Sequence, residues 1–263
     1  MNALLKKTIL ANFFSKLEMR KKGILLLDYD GTLAPFKKKR QDAVMHPKIA
    51  QELQQLAHAP NTKIIIISGR TIQDLLPLVS LKPLPEIWGC HGLERRTEKG
   101  KYSRSTITLS QSKGLALAKM ITAQLFSDQL YEDKFFSIVI HLRGLRFTKK
   151  QHIIQSIEKP WEKIAKQHDL EIIPAKDAYE IRVRGKNKGT AVATIISKLS
   201  RRDVVAYIGD DKTDEDAFFA LGKRGLKVIV GENLRKTGAD IVIKTHSGVA
   251  AFLHEWNKRI GGM

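Results

Sequence analysis

The chain has 263 residues, one cysteine and a formal net charge of +19 at pH 7. That length suits one large domain or a domain carrying an insert, and a hydrophobic share of 43% can fill a sizeable core, which excludes wholesale disorder. No apolar run approaches the roughly 18 residues of a membrane span, and Cys90 alone cannot form an internal disulfide, so a reducing, cytoplasmic compartment is expected.

At the start, Leu5, Ile9, Phe13 and Leu17 recur every four residues between Lys6, Lys7 and Lys16. This is an amphipathic helix, expected to pack on a domain edge rather than on a membrane. Ile24 to Leu27 then reads as a parallel strand buried on both faces, and Asp28, Asp30 and Gly31 follow it at once. Pro47 opens a helix whose buried face is Ile49, Leu53 and Leu56. Lys63 to Ile67 is a second buried strand, ending in Ser68-Gly69-Arg70. Thr71 to Val79 is read as a helix containing Pro77, and Ile87 to Cys90 as a weaker third strand running into His91-Gly92-Leu93-Glu94. The order strand, helix, strand, helix, strand implies a parallel sheet.

The pattern then changes. Tyr102 to Leu109 alternates like an antiparallel strand, Leu115 to Phe126 is helical, and Phe135 to Leu142 is strand-like. Gln151 to His168 is a helix with Pro160 near its middle, followed by strands at Glu171 to Pro174 and Tyr179 to Val183. This section reads as an inserted α+β layer at 96–184, dividing a core made of 1–95 and 185–263. The core pattern returns with a helix at Gly189 to Leu199, a strand at Val204 to Ile208, a helix opened by Gly209-Asp-Asp-Lys-Thr-Asp214, strands at Leu226 to Val230 and Asp240 to Ile243, and a closing helix at Val249 to Trp256.

The basic residues cluster at 37–40, 99–104, 149–150, 201–202 and 223–224, with no stacking aromatics or nucleic-acid module beside them. They read first as solvated surface, second as attraction for a phosphorylated small molecule, and last as nucleic-acid binding.

Four polar clusters sit after core strands or at a helix start: Asp28 with Asp30, Ser68, Lys188, and Asp210 with Asp214. A parallel sheet brings strand ends to one edge, where ligands bind in open α/β folds. Three aspartates are hard oxygen ligands suited to Mg²⁺, while Ser and Lys donate to phosphoryl oxygens. At the first strand, one carboxylate could attack an electrophile, the other could handle a proton, and both could face a cation. The bland alternatives are a helix N-cap at Ser68-Gly69, a helix-start tie at Arg70, and acids favoured at a helix N-terminus at Asp210 to Asp216.

In order, Asp28-Tyr-Asp-Gly-Thr32, Ser68-Gly-Arg70, Lys188-Gly189 and Gly209-Asp-Asp-Lys-Thr-Asp214 resemble the four motifs of the haloacid dehalogenase-like phosphatases. More narrowly, His91-Gly-x-Glu94, Glu132-x-Lys134, His141-x-Arg143, Glu180-x-Arg182 and Asn187-Lys-Gly resemble the trehalose-6-phosphate phosphatases. The resemblance implies a Rossmann-like core with a C2-type α+β cap, acting on trehalose 6-phosphate or, alternatively, on another small sugar phosphate such as that of sucrose or mannosylglycerate. A monomer with no nucleic-acid partner and no stable membrane insertion is expected. It implies Asp28 as nucleophile, Asp30 as acid and base, and Lys188 as the third catalytic group. Mg²⁺ is implied at Asp28, the Asp30 main chain and Asp210, with Asp214 in or near that shell. The implied substrate-binding set is Gly31, Thr32, Ser68, Gly69 and Arg70 in the core, with Thr32 orienting Asp30, and Lys134, His141, Arg143, Glu180 and Arg182 in the cap.

Overall fold

Strands that are mostly apolar on both faces have little to offer solvent, so they take the middle of a sheet covered on both sides. In the computed structural model, which describes residues 3–20, 22–37, 39–175, 177–232 and 236–261, this is the place of β1 (Gly23–Leu27), β2 (Thr62–Ile67) and β10 (Val204–Gly209). Lys38, part of the basic run at 37–40, lies outside the described residues. The chain forms two units, one of Met1–Arg104 with Lys186–Met263 and one of Ser105–Gly185.

The first unit also holds α1 (Ala3–Arg20), α2 (Pro47–His58), α3 (Ile72–Leu75), β3 (Glu86–Gly89), β4 (Glu94–Arg96), β5 (Tyr102–Arg104), α6 (Lys188–Ile196), α7 (Thr213–Leu221), β11 (Gly225–Val230), β12 (Ile241–Ile243) and α8 (His246–Gly261). Its sheet has the order β12-β11-β10-β1-β2-β3-β4-β5, parallel as far as β3 and antiparallel after it. From β1 the chain builds outward through β2 and β3, then returns to lay β10 on the other side of β1. That reversal is a topological switch point. Leu27 is in register with both Ile66 and Ile208, so the carboxyl ends of the three central strands stand level.

Alternation along β1 divides the core. Leu25 and Leu27 pack with Ile49 and Leu53 of α2, Leu17 of α1 and Trp256 of α8, whereas Ile24 and Leu26 pack with Val192 of α6 and Phe218 of α7. On the first face Phe13, Phe14, Phe252 and Trp256 form an aromatic cluster with ring centroids 5.1–6.2 Å apart. The N-terminal helix is thus docked through Phe13, Phe14 and Leu17, while Leu5 stays 53% exposed.

The second unit is an antiparallel sheet of order β6-β7-β9-β8, built from β6 (Tyr131–Lys134), β7 (Ser137–His141), β8 (Leu170–Ala175) and β9 (Ala178–Val183). Two helices, α4 (Leu109–Leu125) and α5 (Phe147–Gln167), cover one face, where Trp161 stacks on Tyr179 at 5.6 Å. By the period of two, Glu132, Lys134, Val139, His141, Glu180 and Arg182 share the opposite face.

Four expectations need correction. The hairpin β4–β5 joins the core sheet, so the second unit begins at Ser105 rather than at 96. Arg95 holds that hairpin, reaching Glu86 at 2.8 Å and lying over the Trp88 ring. The strand foreseen from Tyr102 to Leu109 stops at Arg104, and Leu109 instead opens α4 behind a capping box made by Thr108 and Gln111. The run foreseen as one strand from Phe135 to Leu142 is β7 alone, paired through a turn at Phe135-Phe136 with the unforeseen β6. The helix read from Thr71 to Val79 is only α3 plus a 3₁₀ turn at Leu76–Leu78, because Pro77 cannot supply the N–H that a continuing α-helix needs. No helix among the described residues is long and apolar enough to cross a membrane.

Trp256 is fully buried and its indole N–H donates to Thr62 Oγ1 at 3.1 Å. Trp256→Ala should lower the unfolding free energy by about 3–5 kcal/mol in urea titration. A loss below about 1 kcal/mol would mean that the α1–α8 seam lies outside the cooperative core.

Candidate active site

The level ends of β1 and β10 set two acidic loops side by side. Asp28 and Asp214 are buried, and the Lys188 ammonium, at the first turn of α6, lies between them, 2.8 Å from Asp28 Oδ1 and 2.8 Å from Asp214 Oδ1. Three elements from opposite ends of the sequence therefore meet on one nitrogen. Asn187 starts that helix where it does, since its side chain caps the Thr190 N–H in a capping box.

Asp214 is saturated. Its Oδ1 accepts the Tyr207 hydroxyl at 2.6 Å as well as Lys188, and its Oδ2 accepts the N–H groups of Asp210 at 3.0 Å and Asp211 at 2.9 Å. Those bonds fold the Gly209–Asp211 loop over the start of α7. Asp210 is different: its Oδ1 is buried with no hydrogen-bond partner among the described residues. The three carboxylates of Asp28, Asp210 and Asp214 lie within 4.8 Å of one another.

Burial pushes the Asp28 carboxyl up to about 7 although Lys188 pulls it down, and burial together with Asp28 pushes Asp210 up to about 10. Burial works against the Lys188 charge, but Asp214 and Asp28 together outweigh it and hold the ammonium above its ordinary range. Three carboxyl groups crowded on one ammonium cannot all ionise at low cost, and a hard cation would favour their ionised forms.

Gly31 is demanded twice. Its φ is +78°, and a Cβ there would lie 2.0 Å from Asp210 Oδ2. Asp30 turns toward Arg70, whose Nε donates to Oδ2 at 2.7 Å and whose Nη2 donates to Oδ1 at 2.6 Å. Arg70 is itself only 2% exposed and lies over the Tyr29 ring, while the single Tyr29 hydroxyl proton is shared between the carbonyls of Ala43 and Leu78. Arg70 thus orients Asp30. Thr32 does not, since its Oγ1 is buried without a hydrogen-bond partner among the described residues. Ser68 is buried and its Oγ accepts the Arg70 N–H at 3.2 Å, which leaves the hydroxyl proton to donate elsewhere. It caps no helix: Thr71 is the N-cap of α3, and Glu94 Oε2 accepts the Ile72 N–H at 2.7 Å.

In the second unit, Lys134, His141, Glu180 and Arg182 share the face opposite the helices. Glu132 Oε2 links two of them, 3.1 Å from His141 Nε2 and 3.7 Å from Lys134 Nζ. Arg182 Nε donates to Glu171 Oε1 at 2.8 Å, and the Glu180 side chain has neither hydrogen bond nor ion pair among the described residues. Arg143 follows the end of β7, 3.7 Å from Asp177. Tyr207 is a functional group that the sequence does not mark as one, and Glu132 stands out there only as part of a motif. The one signal for Tyr207 is a hydroxyl in an otherwise apolar strand.

The sequence profile of the family described as trehalose-phosphatase matches residues 26–247. The chain belongs to the trehalose-phosphatase family. This family member is 29% identical over 217 residues to the trehalose-6-phosphate phosphatase of Escherichia coli strain K12, across 79% of this chain and 77% of that one. It is 31% identical over 205 residues to alpha,alpha-trehalose-phosphate synthase (UDP-forming) B of Dictyostelium discoideum, across 75% of this chain but only 25% of that protein. The chain thus spans a quarter of the length of that relative. A solved structure of the C-terminal domain of C. albicans trehalose-6-phosphate phosphatase superposes with a TM-score of 0.78 at 23% identity, covering 96% of both chains. The fold is that of the haloacid dehalogenase-like phosphatases, a Rossmann-like parallel core with an inserted α+β unit.

Tyr207→Phe removes one donor from a fully buried carboxylate. It should lower stability by about 1–3 kcal/mol, read by thermal unfolding. An unchanged midpoint would mean that Asp214 does not depend on the phenol.

Proposed function

We propose that this trehalose-phosphatase family member hydrolyses trehalose 6-phosphate to trehalose and phosphate through a phosphorylated Asp28. The observation that carries the reading is the Lys188 bridge, which fixes a buried carboxylate beside an ammonium that still has a donor to spare. Lys has three N–H donors, and two are directed at Asp28 and Asp214. The third suits a phosphoryl oxygen, as does the hydroxyl proton of Ser68. The relatives named as trehalose-6-phosphate phosphatases support the substrate.

In the first step an oxygen of Asp28 attacks phosphorus and the phosphorus–oxygen bond to the sugar breaks, while Asp30, released from one arm of the Arg70 fork and protonated from solvent, gives that proton to the departing sugar oxygen. In the second step a water attacks the same phosphorus while passing a proton to Asp30. The bond from phosphorus to Asp28 breaks, which frees the carboxylate and releases phosphate. The fork from Arg70 fixes where Asp30 waits, and Asp30 exchanges one of its bonds to reach the leaving oxygen. The donor set fits Mg²⁺, since the oxygens are hard and one of them, on Asp210, is buried and unclaimed. Asp28, Asp210 and the Asp30 main-chain carbonyl would hold the ion, and Asp214 would fix the loop around them. When bound, the ion neutralises charge on the phosphoryl oxygens.

Sugar recognition is assigned to the polar face of the second unit. Glu180 has unclaimed acceptors for sugar hydroxyls, and Lys134, His141 and Arg182 are donors beside it, with Arg143 at the edge.

Phosphate release from trehalose 6-phosphate is the direct assay. Asp28→Asn should eliminate turnover with an unchanged circular dichroism spectrum, and a near wild-type rate would refute the nucleophile. Dialysis against a chelator should abolish activity and Mg²⁺ should restore it; full activity in metal-free buffer contradicts the metal. Glu180→Ala should cut kcat/KM for trehalose 6-phosphate by about ten- to a hundred-fold and leave a small aryl phosphate unaffected. Equal loss on both substrates would count against sugar recognition by that face.

A further inference from the structure

After β3 the chain makes a turn that neither strand nor helix requires. Cys90, His91 and Gly92 have φ of 47°, 56° and 105°, three left-handed residues in a row, two of them carrying a Cβ. The turn is tied on both sides. The His91 N–H donates to the Ser68 carbonyl at 2.9 Å and the Cys90 N–H to the Arg70 carbonyl at 2.7 Å, so both neighbours of Gly69 are anchored to it. Gly92 abuts the start of α6: a Cβ there would lie 2.9 Å from Ala191 Cβ and 3.3 Å from the carbonyl of Asn187, the residue before Lys188. One turn therefore touches the loop of Ser68 and the helix start of Lys188.

The His91 ring completes the contact. A Cβ on Gly69 would lie 2.6 Å from His91 Nε2 and 2.7 Å from Cε1. The φ of Gly69 is outside the left-handed range, so what a side chain there would meet is the imidazole seated on it, which it would have to push aside, and not a backbone strain of its own.

We propose that His91, seated on Gly69 by the left-handed turn Cys90–Gly92, is a positioning residue that sets Ser68 against Lys188 for phosphate. The proposal rests on the reading of Ser68 and Lys188 as phosphoryl ligands. His91 touches neither substrate nor metal in this role; it acts through the loop beneath it.

The test compares Gly69→Ala, His91→Asn and the double variant. Asparagine takes the left-handed conformation readily, so His91→Asn removes the ring and keeps the turn. The readouts are calorimetric affinity for inorganic phosphate in the presence of Mg²⁺ and the midpoint of thermal unfolding. Gly69→Ala should weaken phosphate binding by roughly ten- to a hundred-fold, equivalent to one lost charge-assisted hydrogen bond, and should lower the midpoint. His91→Asn should weaken phosphate binding by less, because the bonds to Ser68 and Arg70 remain. In the double variant most of the Gly69→Ala loss should be recovered in both readouts. Losses from Gly69→Ala that are equal in the two backgrounds would overturn the contact, and unchanged phosphate affinity in His91→Asn would overturn the positioning role. A wild-type chain that binds no phosphate would overturn the assignment of Ser68 and Lys188, while the thermal midpoints would still report on the contact itself.

Discussion

An ammonium taken out of water is tolerated only when its charge is matched and most of its donors are used, because the effective penalty is several kcal/mol. Lys188 is 3% exposed and meets that condition with two carboxylates at 2.8 Å. The condition is geometric before it is catalytic. It requires β1 to end where β10 ends, and α6 to begin beside the start of α7. The parallel register of the sheet supplies the first requirement, and the Asn187 capping box supplies the second.

From that point the site divides its carboxylates by their partners. Asp214 accepts four hydrogen bonds and is therefore a fixed support for the loop that carries Asp210. Asp30 is held at a distance from the bridge by Arg70, whose guanidinium is supported by Tyr29. Asp28 and Asp210 are left with the least hydrogen bonding and the strongest upward pressure from burial. Chemically similar side chains thus acquire different properties from their donors alone.

Much of this was legible in the sequence because it is local. The buried strands announce themselves as apolar runs, and the acids that follow Leu27 and Gly209 stand where a parallel sheet exposes strand ends. The pairings that set each residue's role are not local. Arg70 and Asp30 are 40 positions apart, and the bidentate fork depends on β1 and β2 lying side by side. Tyr207 reads as one more core residue in β10, since its hydroxyl matters only once α7 is folded against it. The hairpin β6–β7 was missed for another reason: its turn is Phe135-Phe136, and two aromatic residues prolong an apolar run instead of breaking it. The hairpin β4–β5 is short and polar, and ties such as Arg95 to Glu86 assign it to the core sheet.

The claim on which the account stands is that Asp28, pinned by Lys188, carries the phosphoryl group during turnover. The most direct measurement is acid quenching of the wild-type chain during hydrolysis of trehalose 6-phosphate, followed by mass analysis of its peptides. The account predicts one phosphoryl group on the peptide containing Asp28, lost on mild alkaline treatment as an acyl phosphate would be. Steady turnover with no phosphorylated peptide, or with the group on another residue, would contradict it.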